Sequence, residues 1–216
     1  AGQTELEIND NLDDADQALL TTMDLHSFCM KAGEESSCLN LYQTRLPTIL
    51  GMSKRTIDRG GFRFVGAGSD NPWKLLVEPP TVTETDDGVE GLPVFPVIGD
   101  MNTLQYSLHK GVGDRVPYPN DESPRLWLEI VGMLDASVFQ GVLVMSEGHF
   151  RSAFPGEAGF SYFLIGDQQY GAAAQPVGDQ AELDEWRRRQ ARLLETKLGE
   201  YGFDAEPVVE RLGRFL

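Results

Sequence analysis

The residue types that do most protein chemistry are thinly spread along this chain of 216 residues. Its three histidines, His26, His109 and His149, fall in different stretches; His149 lies near Glu147, and His109 follows Ser107 by two positions. A hydrolase triad built from such parts needs a serine on a sharp strand-to-helix turn, usually written G-x-S-x-G, and that pattern does not occur. The histidines therefore read as surface or half-buried side chains. The acids Asp10, Asp13, Asp14 and Asp16 crowd together as in a calcium loop, but the turn glycine and the terminal bidentate glutamate are missing. A solvated N-terminal segment is the expectation. Gly111 and Gly113 lack the third glycine and the downstream acid of a dinucleotide site. No G-x-x-x-x-G-K-[ST] phosphate loop is present, so neither ATP binding nor hydrolysis is expected.

Cys29 and Cys38 flank a short Gly-containing turn. In an exported domain they could close a disulfide; in the cytosol they would be separate thiols. Without matching histidines they cannot build the usual four-ligand zinc site. No catalytic, cofactor-binding or metal-ligating residue is assigned. Two surface features remain. Arg187, Arg188, Arg189, Arg192 and Lys197 line one face of a C-terminal helical pattern, where pairing with acids is expected. Phe139, in the turn-like Phe139–Gln140–Gly141, reads as an aromatic at a loop tip, while Phe150 and Phe154 suit core packing equally well.

The formal charge is −16, from 34 acidic and 18 basic residues. Phosphate backbones are held by concentrated basic surface, so a nucleic-acid partner is not expected. No apolar run approaches the roughly 20 residues needed to span a bilayer. The start at Ala1 suits a mature protein or a piece of a larger one.

The elements that must position these residues are legible from their punctuation. Met23–Met30 alternates as a strand. Ser53–Asp58 reads as a short helix stopped by Gly60–Gly61, with Pro47–Met52 before it a loop or helix start. Phe62–Val65 and Trp73–Val77 read as strands, and Glu78–Gly91 as an exposed connection. Pro96–Gly99 is an apolar strand, and Asp100 can cap the helix after it, whose buried side is Leu104, Leu108 and Tyr106. Gly111–Asp114 ends that helix. Leu126, Leu128 and Ile130 alternate with Trp127, Glu129 and Val131 in a strand. Two more strands with a short helix between them follow. The last helix opens on Asp179 with Glu182 three residues on, carrying Leu183, Trp186, Leu193 or Leu194, Leu198 and Tyr201 as its apolar stripe. Val208, Val209, Leu212 and Phe215 again have helical spacing.

The phrases PVIGD, SLHKGVGD, LEIVGMLDASVFQG and VLVMSEGHFRSAFP, in that order, resemble the extracytoplasmic domain of FtsX-like permeases, the membrane subunits of MacB-like and lipoprotein-releasing ABC transporters. The earlier SCLNLYQ at residues 37–43 is similar to the same subfamily. The resemblance implies an α+β, two-lobed extracytoplasmic (periplasmic) domain of mixed sheets with flanking helices. Residues 1–90 and 156–216 would form an outer, porter-like lobe and 91–155 a compact inserted α/β lobe. It implies transmembrane helices of the same chain at both ends, a cytoplasmic ATPase subunit or domain, and a homodimeric transporter. The domain would act mechanically and not as an enzyme, coupling membrane-helix motion to the handling of a substrate or partner. The competing readings are a free-standing exported ligand-binding or adaptor module, and a hydrolase with a scattered Ser/His/Asp site.

Overall fold

The computed structural model describes residues 13–33, 46–66, 70–83, 91–120, 122–135, 137–167, 180–206 and 208. Its strands are β1 (Met23–Lys31), β2 (Thr48–Met52), β3 (Thr81–Val82), β4 (Pro93–Asp100), β5 (Arg115–Tyr118), β6 (Leu126–Leu134), β7 (Val142–Ser146) and β8 (Tyr162–Asp167). They form one mixed sheet in the order β5-β6-β4-β7-β2-β1-β8, with β3 on the start of β4. Four α-helices accompany them among the described residues: α1 (Asp14–Thr21), α2 (Lys54–Arg59), α3 (Glu147–Ala153) and α4 (Gln180–Leu198). The fold is α+β. By compactness the chain divides into residues His26–Leu164 and a second unit made of Ala1–Leu25 with Ile165–Leu216.

Burial explains why the central strands read as they do. β4 is buried along its whole length after Pro93, and β7 throughout, so both are continuous apolar runs. β4 runs parallel to β6 and antiparallel to β7, and β7 runs parallel to β2. β6 has one face toward water: Leu126, Leu128 and Ile130 are buried, while Trp127, Glu129 and Val131 are only partly so. β5 carries Pro117, whose missing N–H is tolerated because β5 ends the sheet. Arg115 on β5 donates from Nε to Glu129 Oε2 on β6 at 2.9 Å, directly across the pair.

Three expectations are corrected. Pro47–Met52 is neither loop nor helix start: Thr48–Met52 is the strand β2. Its position between β1 and β7 buries both faces and removes the alternation that marks a half-exposed strand. Trp73–Val77 is not a strand but part of a 3-10 helix, Pro72–Val77. Proline costs nothing in a first turn, and a three-residue repeat puts Trp73 and Leu76 on the same buried side. Phe62–Val65 contributes only an isolated bridge, Phe64 to Leu134.

Phe139 is not an aromatic at a loop tip. It is fully buried, with ring centroids 5.8 Å from Phe28, 5.3 Å from Phe62, 6.2 Å from Trp73 and 6.4 Å from Tyr162. The turn between β6 and β7 carries its aromatic into the core. Trp73 Nε1 donates to the Gly61 carbonyl at 2.9 Å, which satisfies its polar end. Phe150 and Phe154 are core residues too.

In the second unit, Asp13 caps α1 by accepting from the Asp16 backbone N–H at 2.7 Å. α4 buries Leu183, Gln190 and Leu193, with Trp186, Leu194 and Leu198 partly covered, whereas Tyr201, expected on the same stripe, is exposed in the 3-10 turn Gly199–Tyr201 that ends the helix. Arg187, Arg188, Arg189 and Arg192 are exposed. Among the described residues no helix is long and apolar enough to cross a membrane. Asp10, Asp179, SCLNLYQ and the stripe from Val209 onward lie outside the described residues, as do residues 84–90 of the Glu78–Gly91 connection.

Candidate functional site

The first cluster of polar side chains stands at the end of β4. Asp100 has no solvent exposure, and both its carboxylate oxygens are used. Oδ1 accepts from the Asn102 backbone N–H at 2.9 Å, starting the helical turn that continues as the π turn Thr103–Ser107. Oδ2 accepts from the backbone N–H and the hydroxyl of Ser137 at 2.7 and 2.8 Å. Ser137 Oγ in turn accepts from the Phe139 backbone N–H at 3.2 Å, and Thr103 Oγ1 from that of Gly141 at 2.7 Å. So Asp100 does more than cap a helix. It joins two distant segments, PVIGDMNT and DASVFQG, through a buried charge-assisted network.

The glycines that looked like half a nucleotide loop have a different role. Asp114 Oδ2 accepts from the Gly111 N–H at 2.8 Å, and Gly113 donates to the Ile130 carbonyl at 2.8 Å. Ile130 donates back to the Asp114 carbonyl at 2.9 Å, which hangs this turn on β6. Gly113 has φ +92, where an L side chain would be strained. Tyr106, expected on the buried side, is instead 71% exposed on the preceding turn, while Leu104 is fully buried.

The second cluster lies where the parallel neighbours β2 and β7 end. Each strand leads into a serine that caps a short helix. Ser53 Oγ accepts from the Thr56 N–H and Ser146 Oγ from the His149 N–H, both at 3.3 Å. The two helix starts border an open depression of about 410 Å³. Met52, Ile57 and Val77 give it apolar walls; Lys54, Glu147, His149 and Arg151 give it charge and a titratable ring. Arg151 holds Glu147 Oε1 through Nε and Nη2 at 2.9 and 2.8 Å, so Glu147 faces an arginine and not the imidazole two positions on.

The three histidines occupy three different environments. His26 is buried in β1, with Nδ1 2.9 Å from Thr56 Oγ1, which lies 3.0 Å from Ser53 Oγ. His109 is exposed at φ +53, and its Nδ1 turns to the Gln105 carbonyl at 3.2 Å. His149 packs against the Phe95 ring, centroids 5.6 Å apart. Burial pushes its pKa down, opposed by a hydrogen bond to the Leu76 backbone. Burial likewise pushes the Cys29 thiol up, with the nearby Arg151 charge pulling the other way. Cys29 is a free, buried thiol; Cys38 is outside the described residues. Lys31 is raised chiefly by its hydrogen bond to Glu157 at 2.6 Å.

The His26–Thr56–Ser53 string was not singled out from the sequence, although the Ser53-x-x-Thr56 spacing at a helix start is a signal for its capping half. Among the described residues no group of three or more His, Cys, Asp and Glu side chains is placed to hold a metal ion. What these arrangements supply is fixation: caps, buried hydrogen bonds and cross-strand ties. No protein-family model and no curated protein matches the chain.

Proposed function

We propose that the chain is the extracytoplasmic domain of an FtsX-like permease of an ABC transporter, transmitting motion between membrane helices and a substrate or partner outside the cytoplasm. One observation supports the reading above others. The phrases that carry the resemblance supply the joints of the sheet, Asp100 with Ser137, Gly113–Asp114 with Ile130, and Ser146 at the start of α3. Residues used as joints fit a part that must move as a rigid body, since coupling through a packed element requires that it not deform. In this reading the membrane helices belong to the same chain and the ATPase sits on the cytoplasmic side. Two permease chains would pair in the transporter, and the domain itself carries out no bond chemistry.

The test uses the full-length protein in intact cells. Tyr106→Cys places a thiol on an exposed turn of the domain, and Cys38→Ser leaves buried Cys29 as the one other cysteine of these 216 residues. A membrane-impermeant maleimide should label this variant without permeabilisation. Labelling that appears only after lysis overturns the extracytoplasmic assignment.

A further inference from the structure

Pairing with acids is the expectation for the basic face of α4, and among its arginines the structure meets it at Arg187 alone, whose Nη1 lies 3.4 Å from Asp184 Oδ1. Arg188, Arg189 and Arg192 are exposed, and their guanidinium groups make no ion pair or hydrogen bond among the described residues. An acid is within reach on the same helix. Glu185 stands three positions before Arg188 and four before Arg189, a spacing that favours pairing, yet neither takes it. In a chain with 34 acidic and 18 basic residues, a group of cations without a carboxylate is a departure from what composition favours.

The helix fixes how these charges are displayed. Leu183, Gln190 and Leu193 bury one face of α4 and hold it, so the other is free to carry the arginines outward. Arg192 stands one turn beyond both Arg188 and Arg189, which puts the three on one side of the cylinder. Ala181, Glu185 and Thr196 are the exposed residues of the same side, so it carries three cations against one acid. All three cations are arginine. The guanidinium is weakly hydrated and planar, and its fork of N–H donors matches phosphate oxygens in pairs. Arg188 and Arg189 project about 100° apart around the helix, so their stems diverge and do not close on one small anion. A single free phosphate would lie in open water against one or two exposed side chains, where screened pairs contribute little. An extended sheet of phosphates offers a partner to each arginine at once.

We propose that the arginine face of α4 docks on the phosphate headgroups of an anionic membrane surface. The chain's net charge of −16 does not prevent this. At about 0.1 M salt a charge acts over roughly 10 Å, and a helix with its side chains is itself about 10–12 Å across. Charges behind α4 are therefore screened from a surface that its arginines touch, and repulsion of the acid-rich remainder selects this one orientation. The inference rests on α4 and does not need the permease reading; a peripheral protein could dock in the same way.

The experiment is co-sedimentation of the 216-residue chain with vesicles. One set contains equal parts phosphatidylglycerol and phosphatidylcholine, the other phosphatidylcholine alone. At about 0.1 M salt the chain should bind the anionic vesicles and not the neutral ones, and about 0.5 M salt should release it. Each arginine removed should weaken binding about fivefold, so Arg188→Gln, Arg189→Gln and Arg192→Gln together should weaken it by more than tenfold. The same loss of charge at Lys74→Gln, Lys110→Gln and Arg125→Gln, all in the unit His26–Leu164, should leave binding unchanged. Circular dichroism and thermal unfolding of both triple variants should match the parent chain, because exposed side chains without partners are being replaced. Failure to bind the anionic vesicles, equal binding to neutral ones, or equal weakening by the two triple variants overturns the proposal. So does release by millimolar inorganic phosphate at constant ionic strength, which would assign the arginines to a free anion.

Discussion

At the residue scale the decisive side chain is Asp100. It accepts three hydrogen bonds in a site without solvent, and two of them come from a residue far along the chain. Truncating it leaves buried donors without partners, each at a cost of roughly 1–3 kcal/mol. Asp100→Ala should therefore lose on the order of 3 kcal/mol or more in urea unfolding. Ser137→Ala, which removes one hydroxyl and keeps the backbone donor, should lose only about 1 kcal/mol. If Asp100→Ala costs no more than Ser137→Ala, the carboxylate is not the joint described here. The sequence made half of this role readable. Aspartate before a helical turn signals a cap, and the cap is there. Its second partner, Ser137, depends on a parallel crossover that brings β6 beside β4, and no local pattern records that. Phe139 differs from its sequence reading for the same reason: Phe-Gln-Gly has the composition of an exposed turn, and only the tertiary path sends it inward.

Helices and strands were legible where one face meets water, and less so where neither does. β6 alternates and reads as a strand; β2 lies between two strands, loses its alternation and reads as a loop or helix start. The 3-10 turn Pro72–Val77 buries residues three apart, a period too short in this stretch to separate from a strand. The packing of α3 on β2 yields a prediction with two signs. A Cβ on Gly51 would stand 2.8 Å from Phe150 Cβ and Cγ, atoms near the α3 backbone that cannot swing away. Gly51→Ala should push α3 off the sheet and cost about 1–3 kcal/mol, as overpacked cores do. Gly148 lies within α3 with nothing near its missing Cβ. Gly148→Ala should stabilise by up to about 1 kcal/mol through helix propensity and a less flexible unfolded chain. Thermal unfolding of the two variants decides the matter, and a stabilised Gly51→Ala would remove the close approach.

For the whole molecule the important property is how far a disturbance spreads. The unit His26–Leu164 contains β2 to β7 and the buried network at Asp100, whereas the unit of Ala1–Leu25 with Ile165–Leu216 contains α1 and α4. A chain that transmits motion as a rigid plate should keep the first of these intact while the second loosens, because cooperative units open with their own free energies. Leu183 is the place to test this. It is 4% exposed on α4, in the same unit as buried Leu19 and Leu193. Leu183→Ala removes buried methyl groups at a cost of about 2–5 kcal/mol to the structure that encloses them. Arg188→Ala, on the exposed face of that helix, should stay within about 0.5 kcal/mol. Native-state hydrogen exchange locates where the loss falls. In Leu183→Ala the amides of α4 should lose protection, and those at the centres of β4 and β7 should match the parent chain. Equal loss in both sets would mean that the two units open together. The sheet unit would then have no stability of its own, and the separation into a persistent plate and a looser α4 unit would fall.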